Sequence, residues 1–226
     1  MEKRRDSATA YIILADGFET IEALTPLDVL RRCGVEVTTI SLNQTRAVRS
    51  SHGVTVEADA TMEDFMHNCN CCASGTGTSN AGSSSSADNA GSSSSAGSST
   101  TASSSMRQAL ILPGGYPGYK NLCDSQEVGA LITQFHKEGK LLCAICGAPT
   151  ALKANQICRG AAITCHTSVK EELSDYYSIL SSAVVKYMNI ITGMGAGRSL
   201  EFAFAIAESL TSKEKVEEIK AKMEII

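Results

Sequence analysis

Residues 140–156 read KLLCAICGAPTALKANQ. Six residues, nearly all apolar, run into Cys146-Gly147-Ala148-Pro149, and a stretch of helix-forming residues follows. A short continuous apolar run ending at glycine is the pattern of a strand buried on both faces. Proline is tolerated in the first turn of a helix, where its missing N–H would have no partner, so a helix starts directly after the turn. The stretch therefore predicts a strand over 140–145 and a helix over 148–156, with one cysteine on the corner between them.

The same alternation extends in both directions. YIILAD (11–16) reads as a strand, and residues 19–33 carry Ile21, Leu24, Leu27 and Leu30 at helical spacing before Gly34 stops them. EVTTISL (36–42) is a second strand, GVTVEAD (53–59) alternates like an exposed hairpin arm, and TMEDFMHN (61–68) suits a short helix. ALILPGG (109–115) is a buried strand running into a glycine pair, and residues 125–137 are helical. AAITCH (161–166) reads as a strand, SVKEELSD (168–175) as a helix, and VVKYMNIITGMG (184–195) as a strand or strand pair. Helices over 199–210 and 213–223 close the chain. Strands alternating with helices at this spacing predict an α/β protein of flavodoxin-like architecture, a mostly parallel sheet with helices on both faces.

Two segments fall outside that pattern. Residues 1–9 are expected to be a flexible N-terminus, and 73–105, almost all Ser, Gly, Ala, Thr and Asn, lack the apolar side chains that would offset the entropy of ordering. Residues 10–226 are expected to form a single domain that this insert interrupts. Loop-closure cost grows only logarithmically with length, so a domain can carry such an insert.

The chain has 226 residues and a net charge of −4, which argues against a nucleic-acid partner. It shows neither an apolar span of membrane length nor the apolar core of a secretory signal, so no membrane partner and a cytoplasmic location are expected. Nine cysteines without a repeating framework suit free thiols in a reducing compartment. His67, Cys69, Cys71 and Cys72 form a dense cluster, but no second pair with zinc-like spacing lies nearby, and no metal is expected there. The charged run KEKVEEIKAKM is a solvated helix face.

In open α/β sheets ligands bind at the carboxyl ends of the strands. Asp16-Gly17 with Glu19 and Glu22 just beyond, Gly114-Gly115, Cys146 and His166 all follow predicted strand ends. A cysteine at a helix start meets unpaired amides that favour thiolate over thiol, and glycines can bring N–H groups close to a developing oxyanion. Pattern alone leaves Cys146 open between a nucleophile and a buried filler. Cys33, Cys123, Cys143, Cys158 and Cys165 are expected to be small buried hydrophobes.

ADGFETIEALTPLDVLRR, SHGVTVEADATMED, LILPGGYPGYKNL, AICGAPTAL and SLEFAFAIAESL resemble, in order and spacing, the ThiJ/PfpI superfamily and its deglycase branch. The resemblance implies that Cys146 is the elbow nucleophile, that Glu22 contacts its sulfur and that His166 supports it as a proton shuttle. It also implies that Gly115 and Gly147 supply the oxyanion-hole amides and that Glu19 orients the loop or a dimer surface. A cofactor-independent glyoxalase or deglycase acting on methylglyoxal, glyoxal or their adducts follows, with a small aldehyde as partner and a homodimer as assembly. The alternative is a redox-sensing chaperone whose cysteine is oxidised to sulfinic acid. His52 stands where relatives often have arginine, and GMGAGRSLEF departs from their G-P-G form. Gly147 after Cys146 excludes the peptidase branch, which has histidine there, and Thr167-Ser168 after His166 excludes the amidotransferase triad. G-x-S-x-G is absent, so no serine-hydrolase elbow exists.

Overall fold

A computed structural model of the chain describes residues 8–68 and 107–225. The predicted insert at 73–105 and Cys69, Cys71 and Cys72 of the proposed thiol cluster lie outside the described residues. Of the expected flexible N-terminus, 1–7 also lie outside, whereas Ala8 is buried and Thr9 already begins the first strand.

Strands β1 (Thr9–Leu14), β2 (Glu36–Ser41), β5 (Ala60–Thr61), β6 (Gln108–Leu112), β7 (Leu141–Ile145), β10 (Val184–Tyr187) and β11 (Ile190–Gly193) form one seven-stranded sheet in the order β10-β11-β7-β6-β1-β2-β5. Every neighbouring pair is parallel except β10 and β11, an antiparallel hairpin. Alternate residues of the central strands feed two separate cores. Ala10, Ile12, Ile111, Cys143 and Ile145 face helices α1 (Thr20–Arg32), α7 (Ser199–Leu210) and α8 (Lys213–Lys222), packing with Leu30, Phe202 and Val216. Ile13, Leu110, Leu112, Leu142 and Ala144 face α2 (Met62–Asn68), α4 (Gln126–Lys137), α5 (Pro149–Ala154) and α6 (Lys170–Ser174), packing with Phe65, Phe135, Leu152 and Leu173. Burial on both faces is why these strands carry continuous apolar runs rather than alternating ones. The architecture is the expected α/β sandwich of flavodoxin-like type.

The strand order fixes where a site can form. From β1 the chain moves outward to β2 and β5, then returns to β6 on the other side of β1 before continuing to β7. The order therefore reverses between β1 and β6, and the crevice at their carboxyl ends is the topological switch point where ligands bind in such sheets.

Several expectations need correction. Residues 161–166 are not a strand of the main sheet: only Ala162–Ile163 (β8) is extended in a ladder, and it pairs with β9 (Ser178–Ile179) in a separate two-stranded sheet. His166 therefore follows a loop segment rather than a strand end. The arm at 53–59 contributes β4 (Thr55–Glu57), whose partner β3 (Ala47–Arg49) is too short for a periodic signal. A further helix, α3 (Gly118–Asp124), starts at the glycine after Pro117, where the turn residues of YPGYKN hide a helical pattern.

Candidate active site

Glu22 reaches the crevice because α1 starts immediately after the turn that follows β1. Glu19 is the N-cap of α1 and its carboxylate accepts the Glu22 N–H at 2.8 Å. Its own N–H donates to Gly114 O at 2.9 Å, so the helix start is tied to the loop after β6. Glu19 thus orients the loop, one of the two roles expected of it. Asp16 looks away from the site and accepts the Arg49 N–H at 2.8 Å. Glu22 is fully buried, and its Oε2 accepts the Gly114 N–H at 2.8 Å.

Cys146 is held from both sides of its own backbone. Its N–H donates to Gly193 O at 3.0 Å at the end of β11, and its carbonyl accepts the His166 N–H at 2.9 Å. Its φ is 65°, in the left-handed region that a non-glycine residue enters only under constraint. Such a corner, between a strand and a helix, pushes the side chain out over the sheet edge. The backbone N–H groups of Gly115 and Gly147 act on the Cys146 thiol in favour of its thiolate, and the Glu22 carboxyl adjoins it. The helix beyond the corner has only six residues, and its N-cap Ala148 offers no side-chain bond. The donors at the sulfur are therefore the two glycine amides.

Gly114 is what lets acid and thiol meet. A Cβ there would stand 2.6 Å from Glu22 Oε2, 2.7 Å from Cys146 Cβ and 3.1 Å from Cys146 Sγ. Gly115 is equally constrained: its φ is 88°, and a Cβ would lie 2.3 Å from Glu19 N. Gly114→Ala is therefore expected to separate Glu22 from Cys146 and to destabilise the fold by about 1–3 kcal/mol, the usual effect of overpacking. A urea titration reads this directly, and an unchanged midpoint would contradict it.

Burial raises the Glu22 carboxyl from its ordinary 4.5 to about 7, against the lowering effect of the Gly114 N–H and the Cys146 contact. Burial also pushes the Cys146 thiol up to about 12, joined by the Glu22 charge and the Glu22 contact, and the Gly115 and Gly147 amides do not compensate. Two negative charges this close in a dry crevice repel, so the pair gives up its first proton near 7 and holds the second far into the alkaline range. Over that interval one proton is shared between thiol and carboxyl.

His166 is exposed and connected to Cys146 through the backbone bond just described. Its Nδ1 accepts the Ser168 N–H at 3.2 Å and lies 2.9 Å from Ser168 Oγ. With Nδ1 accepting, the neutral ring carries its proton on Nε2, a tautomer assigned from this hydrogen bond. His52 is exposed and lies 4.0 Å from Glu19 Oε1, so it approaches the α1 cap and not the sulfur. Beyond Gly195 the departed G-P-G region forms a short turn over Ala196–Arg198, where Arg198 pairs with Glu201 at 3.0 Å. Sequence reading missed Gly114 as the partner of Glu22, Gly193 as the anchor of Cys146 and Ser168 as the partner of His166. No motif marks them, because each contact uses a backbone group or a residue type common in turns.

Residues 8–209 match the family model described as the DJ-1/PfpI family. The chain belongs to that family. It is 32% identical over 214 residues to Protein dj-1beta of Drosophila melanogaster, covering 94% of this chain and 95% of that protein. It is 31% identical over 216 residues to the Parkinson disease protein 7 homolog of Danio rerio, covering 95% of each. A 107-residue stretch, 47% of this chain and 56% of the other, is 38% identical to a Caenorhabditis elegans protein named glutathione-independent glyoxalase DJR-1.2. The crystal structure of Drosophila melanogaster DJ-1beta superposes with a TM-score of 0.78 at 31% identity, covering 97% of this chain and 99% of that one. These likenesses place the chain among DJ-1/PfpI family proteins. Among the described residues no helix is long and apolar enough to cross a membrane, and no group of acidic, histidine or cysteine side chains could hold a metal ion.

Proposed function

We propose that the protein is a cofactor-independent glyoxalase or deglycase in which Cys146 is the nucleophile, Glu22 the proton carrier and His166 an auxiliary donor. The observation that supports this best is the buried carboxyl beside a thiol that receives two backbone N–H bonds. Oε2 of Glu22 is occupied by the Gly114 N–H, while Oε1 is buried and meets no partner at strict hydrogen-bond geometry. Placing the shared proton on the Glu22 carboxyl leaves the charge on sulfur, beside the Gly115 and Gly147 amides. Thiolate and carboxylic acid is therefore the reactive arrangement.

With methylglyoxal, the sulfur forms a bond to the aldehyde carbon and the aldehyde oxygen takes the Glu22 proton, giving a hemithioacetal. The resulting Glu22 carboxylate then removes the hydrogen from that carbon as a proton, giving an enediolate; reprotonation at the neighbouring carbon, with the hydroxyl proton passing from the first oxygen to the second, leaves a thioester of lactate. Water hydrolyses the thioester, releases lactate and restores the thiolate. The net change is methylglyoxal plus water to lactate, with no external oxidant or reductant. The exposed Nε2–H of His166 is suited to donate to oxygens of the substrate. Purified protein should form lactate from methylglyoxal without glutathione or any added cofactor. A rate equal to that of buffer would overturn the reading.

The same glycine amides would stabilise sulfinate oxygens, so a redox-sensing role for Cys146 is the second reading. It predicts a mass gain of two oxygens at Cys146 on peroxide treatment in a protein that forms no lactate. Assembly as a homodimer belongs to the first reading. Exposed Ile21 on α1 and Leu200 on α7 offer apolar surface for it, and sedimentation measures it.

A further inference from the structure

We propose that Thr192 is a positioning residue, whose buried hydroxyl takes the place of the missing sheet ladder and fixes the segment carrying His166 against Cys146. The starting observation is that the chain between β8 and His166 belongs to no sheet. The ladder of β8 ends at Ile163, whose carbonyl accepts the Leu180 N–H at 2.8 Å. The next residue, Thr164, is fully buried, so its N–H has neither a strand partner nor water. A buried unpaired N–H is destabilising.

That N–H donates instead to Thr192 Oγ1 at 2.9 Å. Thr192 is itself fully buried and lies in β11, where it is the register partner of Ala144 in β7 and of Val185 in β10. The residue after it, Gly193, supplies the carbonyl that holds the Cys146 N–H at 3.0 Å. Two residues beyond Thr164, the His166 N–H donates to the Cys146 carbonyl at 2.9 Å. The contacts close a ring from Thr192 and Gly193 to Cys146, to His166, to Thr164 and back to Thr192. Three of the four connections in this ring are hydrogen bonds and the fourth is the chain itself between Thr164 and His166.

Only one connection uses a side chain. A β-branched residue suits a central strand, but valine would match the shape of threonine and leave the Thr164 N–H unpaired. The hydroxyl is the feature that sheet packing does not require. Cutting it should release the segment from Thr164 to His166 while the Cys146 N–H stays bonded to Gly193. Misplacement of a catalytic group by about 1 Å can lower rate by about a hundredfold.

The functional part of the proposal rests on the reading of His166 as a donor to substrate, so the test has one arm that needs turnover and one that does not. The first is backbone amide exchange by NMR in wild type, Thr192→Val and Thr192→Ser. In Thr192→Val the His166 amide should exchange about tenfold faster or more while the Cys146 amide stays within about twofold of wild type; in Thr192→Ser both should match wild type. Equal acceleration of both amides would show general loosening, and no acceleration of either would show that the hydroxyl holds nothing; each result overturns the proposal. Should Thr192→Val fail to fold, Thr192→Cys, with a weak acceptor of similar volume, is read in the same way. The second arm is lactate formation from methylglyoxal. Thr192→Val should lower kcat about tenfold in the wild-type background and have no further effect in His166→Ala, because the two act through one group. A full additional tenfold loss in His166→Ala overturns the positioning role. If wild type forms no lactate, the glyoxalase reading fails while the exchange result still decides the structural claim.

Discussion

Glu22→Gln is expected to slow lactate formation by about 10²–10⁴-fold, the range lost with a general acid–base group, and Cys146→Ala is expected to fall to the rate of buffer. The decisive measurement is the pH dependence of Cys146 alkylation by iodoacetamide, because it reports where the single charge of the pair sits. If the charge is on sulfur, with the proton on Glu22, the alkylation rate rises with a midpoint near 7, where the pair loses its first proton. If the charge is on Glu22, the sulfur keeps its proton and the rate rises only near 12. The proposed mechanism requires the first outcome. In Glu22→Gln the acid that steadies the thiolate is gone while burial remains, so the midpoint should move above the ordinary thiol value of about 8.5. A wild-type midpoint well above 9 would remove the basis of the mechanism.

The crevice was legible in sequence because its parts lie at strand ends, and strand ends follow buried apolar runs. YIILAD, ALILPGG and KLLCAI each bury residues on both faces, so their boundaries are sharp in composition and Glu22, Gly114, Gly115 and Cys146 fall where expected. Residues 161–166 show the limit of the same reasoning. AAITCH is as apolar as a central strand, but its Ala161 and Ile163 carbonyls accept from Ser178 and Leu180 and its Thr164 N–H donates to a threonine hydroxyl, and apolar content cannot distinguish those partners from a sheet neighbour. The Glu22–Gly114 bond joins residues 92 apart in the chain, and only the reversal of strand order between β1 and β6 brings them together. The acidity of Cys146 was the least legible property. Residue order shows a helix start beside the cysteine, whereas depth of burial and the charge of Glu22, which are tertiary facts, outweigh it.

The site should also be visible in the stability of the fold, as a difference between wild type and Glu22→Gln that grows with pH. The folded carboxyl titrates near 7 and the unfolded one near 4.5. Between those values the unfolded chain has released a proton that the folded chain retains, so raising the pH favours unfolding. The stabilising contribution is complete below 4.5 and is lost as pH rises through 7, which amounts to about 3 kcal/mol by pH 8. Cys146 acts with the same sign at higher pH, since its folded value of about 12 stands above an ordinary 9.0. Linkage counts protons without asking which atom holds them, so this result is independent of the alkylation experiment. Glutamine cannot titrate, and at pH 8 its variant should gain about 3 kcal/mol relative to the offset between the two proteins at pH 4.5. For a chain of this size that corresponds to a midpoint gain of roughly 6–12 °C. A constant offset between the two proteins from pH 4.5 to 8 would mean that the Glu22 carboxyl ionises at its ordinary value in the folded protein. A carboxyl that keeps its proton to neutral pH in the folded chain contributes less stability at pH 8 than at pH 4.5, which is the thermodynamic mark of its raised pKa.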